Sequence, residues 1–480
     1  MSVDNSNLIN NQNSVTSDIL YNLKNSAGTS RRYRTNIPPN NGQSFAPGTQ
    51  MNFSIPCARK NTYLDGQNSY LRLTVKNNDG TNAMFLDNTG ACFINMLTIN
   101  QSGNLIDQCP NYNLLFNYIT DFSYDLGSHF GFLSAYLGTA QTFTGASDVT
   151  LAAAGSGVAA LAAGAVVGSV TNETFSAARS GFALPVNGVS TVCLPLLCSI
   201  FLNSDKMIPL GKLKSDIEFI VLLETLIKSV VTSSTTNWTI INAELVLEII
   251  ELSDTSQQIV DSFSPPDRPI YIHSNEWRYF SNSLPSGTTG NFTSLVSARY
   301  NSLKSLVLLP QLSSDMTTKN AYSVSSRINP NITSYLWRCG GAIIPNKSVT
   351  LRNDNTTGSY SEAYVEVLKT FHGFNNTLYR PLIGSLEYCV WDQATSIPLG
   401  ISAKSGTTTS FYNGFAIAQE LEVYSTRNDV ILQGINTIGQ NIFFDCNIDT
   451  TGPTAAYTLN FFANFDVILV IENGVMRMIP

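Results

Sequence analysis

Long stretches of this chain alternate apolar and polar residues with a period of two, and no other feature constrains the fold as tightly. Over Trp238–Leu252, Ile241, Ala243, Leu245, Leu247 and Ile249 fall on one parity, and Asn242, Glu244 and Glu248 on the other. Leu71, Leu73 and Val75 alternate with Arg72 and Thr74. Along Ala456–Ile471, Tyr457, Leu459, Phe461 and Ala463 alternate with Thr458, Asn460 and Asn464. Successive side chains of an extended strand point to opposite faces, so each run reads as a strand with one face in a core. Turn signals separate the runs: Asn78-Asp79-Gly80, Ser102-Gly103-Asn104 and Glu472-Asn473-Gly474. No repeat of 20–50 residues accompanies them, which excludes propellers and solenoids. The pattern predicts an all-β chain.

Two helices interrupt it. Residues 111–122 place Leu114, Leu115, Tyr118 and Phe122 on one helical face behind Pro110. Residues 361–371 do the same with Tyr364, Val365, Leu368 and Phe371, Ser361 serving as N-cap and Gly373 lying just past the end. Each helix follows one block of strands and precedes another, and about 250 residues separate them. Near Leu252 a strongly apolar run gives way to the proline-bearing stretch 253–269, after which strands resume at Ile270. The expected organisation is an N-terminal arm (1–44), a first β unit (45–253), a linker (254–269) and a second β unit (270–480). Each unit is an eight-stranded sandwich with one inserted helix.

Composition narrows the function. Only 13% of residues are charged, asparagine numbers 48 of 480, and the net charge is −7. No Lys/Arg run exceeds two residues, so binding of nucleic acid through a basic patch, or sequence-specific readout, is not expected. The hydrophobic content of 43% is ample for large cores. The eight cysteines form no CxxC pair, and most sit within apolar strands, where thiols act as small core hydrophobes; they are expected reduced, in an intracellular protein. The polar N-terminus carries no signal-peptide pattern, so the frequent N-x-S/T triplets read as unglycosylated. Residues 149–172, rich in Ala and Gly, are uncharged over a length that could span a bilayer. Their poverty in Leu, Ile and Phe argues instead for a surface or partner-covered insertion (about 144–181).

Catalytic chemistry finds little footing. There is no nucleophile elbow, HExxH, phosphate-binding loop or dinucleotide fingerprint. His129, His273 and His372 are far apart in sequence, which disfavours a histidine-based metal or catalytic cluster. The same-parity pairs Glu244/Glu248 and Glu420/Glu422 could suggest a glycosidase, but the polar outer face of a sheet explains them better. Cys193 and Cys198 read as buried structural thiols, and the four tryptophans as core anchors. No catalytic residue, cofactor or metal ligand is expected. Arg31-Arg32-Tyr33-Arg34 is a small basic knot in the arm, which could touch nucleic acid or a phospholipid surface or serve as a solvated tether.

Several segments resemble the double jelly-roll major capsid proteins of double-stranded DNA viruses, above all those of polinton-like viruses and virophages. Arg34-Thr35-Asn36-Ile37-Pro38 with residues 45–56 is similar to the family's arm and first strand, and residues 85–107 to its central hairpin. The most specific piece is LPLLCSIFLNSDKMIPLGKLKSDIEFIVLLE (194–224), with an L-P-L turn, a K-x-I-P-L step and an apolar-acidic strand. Segments 414–422, 434–444 and 461–475 resemble the closing strands; the Ala/Gly-rich insertion matches nothing in the family. The resemblance implies a non-enzymatic protein whose homotrimers form pseudo-hexagonal capsomers of an icosahedral shell, located in the virion and assembled inside the host cell. It implies neighbouring capsomers, penton and minor capsid proteins as partners. Arg31, Arg32, Tyr33 and Arg34 would lie at the inner base, against a neighbouring capsomer, a minor capsid protein or an inner membrane. The competing reading is a jelly-roll receptor- or carbohydrate-binding attachment protein.

Overall fold

The computed structural model describes residues 28–81, 84–125, 128, 132–138, 183–202, 206–231, 237–263, 268–317, 324, 327–351, 360–373, 381–383, 388, 414–423 and 431–479. The Ala/Gly-rich stretch, His129, Cys389 and Trp391 lie outside them. In the first half the principal strands are β1 (Ser30–Ile37), β2 (Gln50–Ile55), β3 (Thr62–Asn77), β4 (Ile94–Gln101), β5 (Asn104–Pro110), β6 (Val189–Pro195), β7 (Ile217–Leu223) and β8 (Trp238–Leu252). Those of the second are β9 (Ile270–Leu284), β10 (Gly290–Val296), β11 (Leu303–Leu312), β12 (Ile332–Cys339), β13 (Ala342–Thr350), β14 (Ile417–Glu420), β15 (Ile442–Ile448) and β16 (Tyr457–Glu472).

The principal strands of the first half form two sheets, ordered β1-β8-β3-β6 and β2-β7-β4-β5, beside a small third sheet of Val230–Val231, Met84–Leu86 and Ala183–Leu184, and those of the second form β9-β16-β11-β14 and β10-β15-β12-β13. All these pairings are antiparallel. Adding eight to each strand number of the first unit gives the second. This order, with first and last strands adjacent and crossovers between facing sheets, is that of a jelly roll, here twice in one chain. Alternation puts most of the core where it predicts: Leu245, Leu247 and Ile249 are buried, while Glu244 and Glu248 are partly exposed; Ile241, expected inward, is 40% exposed, because a bulge between Ile240 and Asn242 shifts the parity and turns Ile240 in instead.

The helices α1 (Tyr112–Ser123) and α3 (Ser361–Lys369) occupy matching connections, β5 to β6 and β13 to β14. Ser361 is the first helical residue and not the cap; Tyr360 holds the capping position without a side-chain hydrogen bond. At the other end His372, not Gly373, takes the left-handed conformation (φ 52°), and the Gly373 N–H donates to Leu368 O.

Two expectations change. Residues 30–37, expected within a free arm, form β1 on the edge of a sheet, with Tyr33 opposite Ile249 and Ile37 opposite Leu245. The inward parity (Tyr33, Thr35, Ile37) is modest in apolar content and the arginines obscure it, so the pattern reads as polar. The stretch 254–269, expected to link the units, begins with a further helix, α2 (Asp254–Phe263). Ser253 Oγ accepts from the Ser256 N–H, a capping contact that outweighs the prolines further on.

The two units are joined through buried seams. β5 packs against β9, and the hairpin Glu472-Asn473-Gly474 reaches back to the first unit. Positive φ at Asn473 (54°) and Gly474 (84°) makes this the tight turn that the sequence signalled. There Gln101, fully buried, accepts from the Met476 N–H at 2.9 Å, and Lys214 N donates to Gly474 O at 3.0 Å. Phe371 stacks on Phe122 (centroids 5.9 Å) and meets Tyr118 (5.4 Å), tying the end of α3 to α1. Beside them Arg327 Nη2 donates to Asp121 Oδ2 at 2.7 Å, both side chains wholly buried. Removing one partner strands a buried charge, so Asp121→Ala is expected to cost about 3–5 kcal/mol in denaturant unfolding. An effect no larger than that of an exposed substitution would show that the pair does not hold the units together.

Candidate assembly surfaces

Apart from His372, Glu420 and Glu422, the residues singled out in the sequence do not converge on one site. Glu244 and Glu248 lie on the outer face of the first unit. Glu244 pairs with Arg72 (3.0 Å) and accepts from Asn36; Glu248 pairs with Arg32 (2.9 Å). Cys198 is buried and Cys193 partly so; burial raises both thiols, the opposite of what an activated nucleophile needs. Trp238 and Trp337 are wholly buried, at 4.8 Å from Phe93 and 4.9 Å from Phe444 between ring centroids. Among the described residues no helix is long and apolar enough to cross a membrane.

The basic knot is held on the surface by local charge. Arg31 Nη2 lies 2.7 Å from Glu251, Arg32 Nη2 lies 3.3 Å from Asp65, and the Arg31 guanidinium sits 5.4 Å above the Tyr33 ring. β1 therefore presents Arg31 and Arg32 already paired to acidic residues of β8 and β3, and the pairs are solvent-screened, while Arg34 donates to Asn36 Oδ1 at 3.1 Å. What β1 offers a partner is a sheet edge: among the described residues no strand pairs with its other side.

The seam between units shows what covers such an edge. β5 is the outer strand of its sheet, yet Ile106, Asp107 and Cys109 are buried because β9 lies over it. β13 holds the matching place in the second unit and buries Val349 alone; Ile343 is 46% exposed. Among the described residues β9 thus lies against β5, while no strand pairs with the outer edge of their counterparts, β13 and β1.

Sequence reasoning missed the polar centre of this seam. Asp107 on β5 accepts from the Ser199 N–H, and Glu276 on β9, fully buried, accepts from Arg278 at 2.7 Å. Burial pushes Glu276 up to about 9, helped by the negative charge of Asp107; burial also raises Asp107, to about 6, against the pull of the Ser199 N–H. The pair holds a proton that the unfolded chain would release. No motif announces it, because the two residues are remote in sequence and each is ordinary on its own strand.

Glu420 and Glu422, expected on a bland polar face, instead flank His372. Glu420 Oε1 is 3.8 Å from Nδ1, and Glu422 Oε2 is 3.8 Å from Nε2. Lys304 Nζ lies 2.9 Å from Glu422 and 3.7 Å from Asp466, whose carboxylate also meets His273 at 3.0 Å.

No protein-family model and no curated protein matches the sequence. Solved structures do match in shape. The Faustovirus major capsid protein aligns with a TM-score of 0.57 at 8% identity, over 96% of this chain and 94% of that one. A chain of the PBCV-1 virus capsid gives 0.56 at 9%, over 96% and 99%. The mavirus major capsid protein gives 0.52 at 11%, over 97% and 93%. The fold is the double jelly roll of viral major capsid proteins.

Two outcomes follow from the geometry. Deletion through residue 37 removes β1 and bares the β8 edge, so it should lower the thermal midpoint and promote aggregation relative to a chain beginning at residue 28. Equal midpoints would show that β1 adds nothing to the sheet. The Asp107/Glu276 pair binds more protons folded than unfolded, so its contribution falls as pH rises from the ordinary carboxylate range toward about 9. Glu276→Gln should therefore flatten the decline of stability between pH 5 and 9; an unchanged slope would place the shared proton elsewhere.

Proposed function

We propose that this chain is a major capsid protein whose homotrimer forms a pseudo-hexagonal capsomer of an icosahedral viral shell, and that it resides in the virion. The observation that carries this reading is the asymmetry between two equivalent edges, β5 covered by β9 and β13 left bare. If β13 of one protomer meets β1 of the next as β5 meets β9 within the chain, one kind of seam serves both within and between chains. Two similar units per chain then make six wedges from three chains, and a heterologous contact repeated three times closes on itself. Arg31, Arg32, Tyr33 and Arg34 would lie in or beside that junction. The low charge suits it, since burying few Lys and Glu side chains limits the desolvation cost of an extensive interface. Interfaces of obligate assemblies commonly bury about 2,000–5,000 Å². Flat outer rims of such tiles would meet neighbouring capsomers.

Sedimentation of purified protein is expected to give three times the 52.3 kDa chain mass, with hexagonal outlines in negative stain. A native monomer at micromolar concentration would overturn the reading. Ile343→Asp on the bare edge is expected to shift the trimer to monomer while leaving far-ultraviolet circular dichroism intact. A trimer that tolerates the substitution would place the junction on another strand.

A further inference from the structure

The cluster around His372 does something that capsid architecture does not call for. His372 follows α3 and turns away in the left-handed conformation, while Glu420 ends β14 and Glu422 stands two residues on. α3 packs against β14, so the imidazole falls between the two carboxylates. One oxygen of each carboxylate and a nitrogen of the ring lie within 4.8 Å of one another. Tetrahedral bonds of about 2.1 Å set ligand atoms roughly 3.4 Å apart, so a small closure would complete a three-ligand face.

Two further observations favour a cation here. Glu420 Oε1 is shielded from solvent and accepts no hydrogen bond, with the His372 ring 3.8 Å away. The Glu422 side chain is only 7% exposed; Lys304 holds its Oε1 at 2.9 Å, and Oε2 faces His372. Lys304 thereby orients the carboxylate in the way that outer partners orient metal ligands. At 3.8 Å neither oxygen forms a hydrogen bond to the ring.

We propose that His372, Glu420 and Glu422 bind one divalent transition-metal ion of the zinc type, leaving a fourth position for water. One imidazole and two carboxylates form a mixed nitrogen–oxygen set, which suits such an ion better than Mg²⁺ or Ca²⁺, whose preference is for oxygen alone. The ion clasps the end of α3 to the end of β14 and closes the long connection of the second unit. The separation of the histidines in sequence argued against a histidine-based cluster; here one histidine suffices because the carboxylates of a single strand end supply the other donors.

The test is titration of full-length, chelator-treated protein with Zn²⁺ by calorimetry, with Co²⁺ absorption reporting coordination. The expected result is one site per chain, a rise in thermal midpoint on adding Zn²⁺, and no displacement by excess Mg²⁺. His372→Asn, Glu420→Gln and Glu422→Gln, each checked for folding by circular dichroism, should each weaken binding by more than about tenfold, the lower bound for losing even an outer partner. They should also abolish the midpoint rise. Absence of binding in the wild type, displacement by Mg²⁺, or full affinity in folded His372→Asn or Glu420→Gln would overturn the proposal.

Discussion

The architecture depends on charge buried between two sandwiches. Asp121 and Arg327 come from different units, sit beyond the reach of water and meet only because the units are pressed together. An isolated buried charge is costly enough that neither would persist without the other. On the other contact, burial between β9 and β5 raises Glu276 and Asp107 and so favours their protonated forms, which lowers the cost of bringing two acids into the seam. Apolar packing around these groups, as in the Phe122–Phe371 stack, supplies attraction without direction; the polar pairs set the register of one unit on the other.

That fixed register has a consequence for edges. Sheet edges invite further pairing or packing, and a chain with two like sandwiches has two like edges to manage. One is covered internally. The other, β13, carries Pro345 and Lys347, residues that discourage ladder extension, so side-chain packing and not strand addition is the contact it favours. In the proposed trimer one kind of contact would recur at both flanks of each chain, and such a heterologous contact closes into a ring or runs on as a filament according to the angle between units.

The composition has its physical counterpart inside the fold. Asparagine replaces charge in many buried polar roles: Asn77 donates to Leu184 O and Pro185 O, Asn331 to Gly452 O, and Asn460 to Leu309 O and Gln311. Neutral amides satisfy backbone carbonyls at turns and strand ends at far less desolvation cost than a lysine or glutamate. A chain with few charges can therefore still hold long loops and crossovers in place.

The sequence alone determined what repeats locally. Period-two alternation named the long strands β3, β8 and β16, helical spacing named α1 and α3, and glycine-bearing turn signals named the tight turns at Ser102-Gly103 and Asn473-Gly474, because each signal is carried by neighbours along the chain. It was weaker where polar residues occupy both faces, as in β1, and where prolines overshadow a capping serine, as in α2. Only the tertiary structure decided which strands lie side by side, that β9 covers β5 while β13 stays bare, and that Asp107 meets Glu276 and His372 meets Glu420 and Glu422. Such encounters join residues up to 375 positions apart, as in Gln101 and Met476. No local pattern encodes them, since the energy that selects them appears only once the surrounding surface has left water.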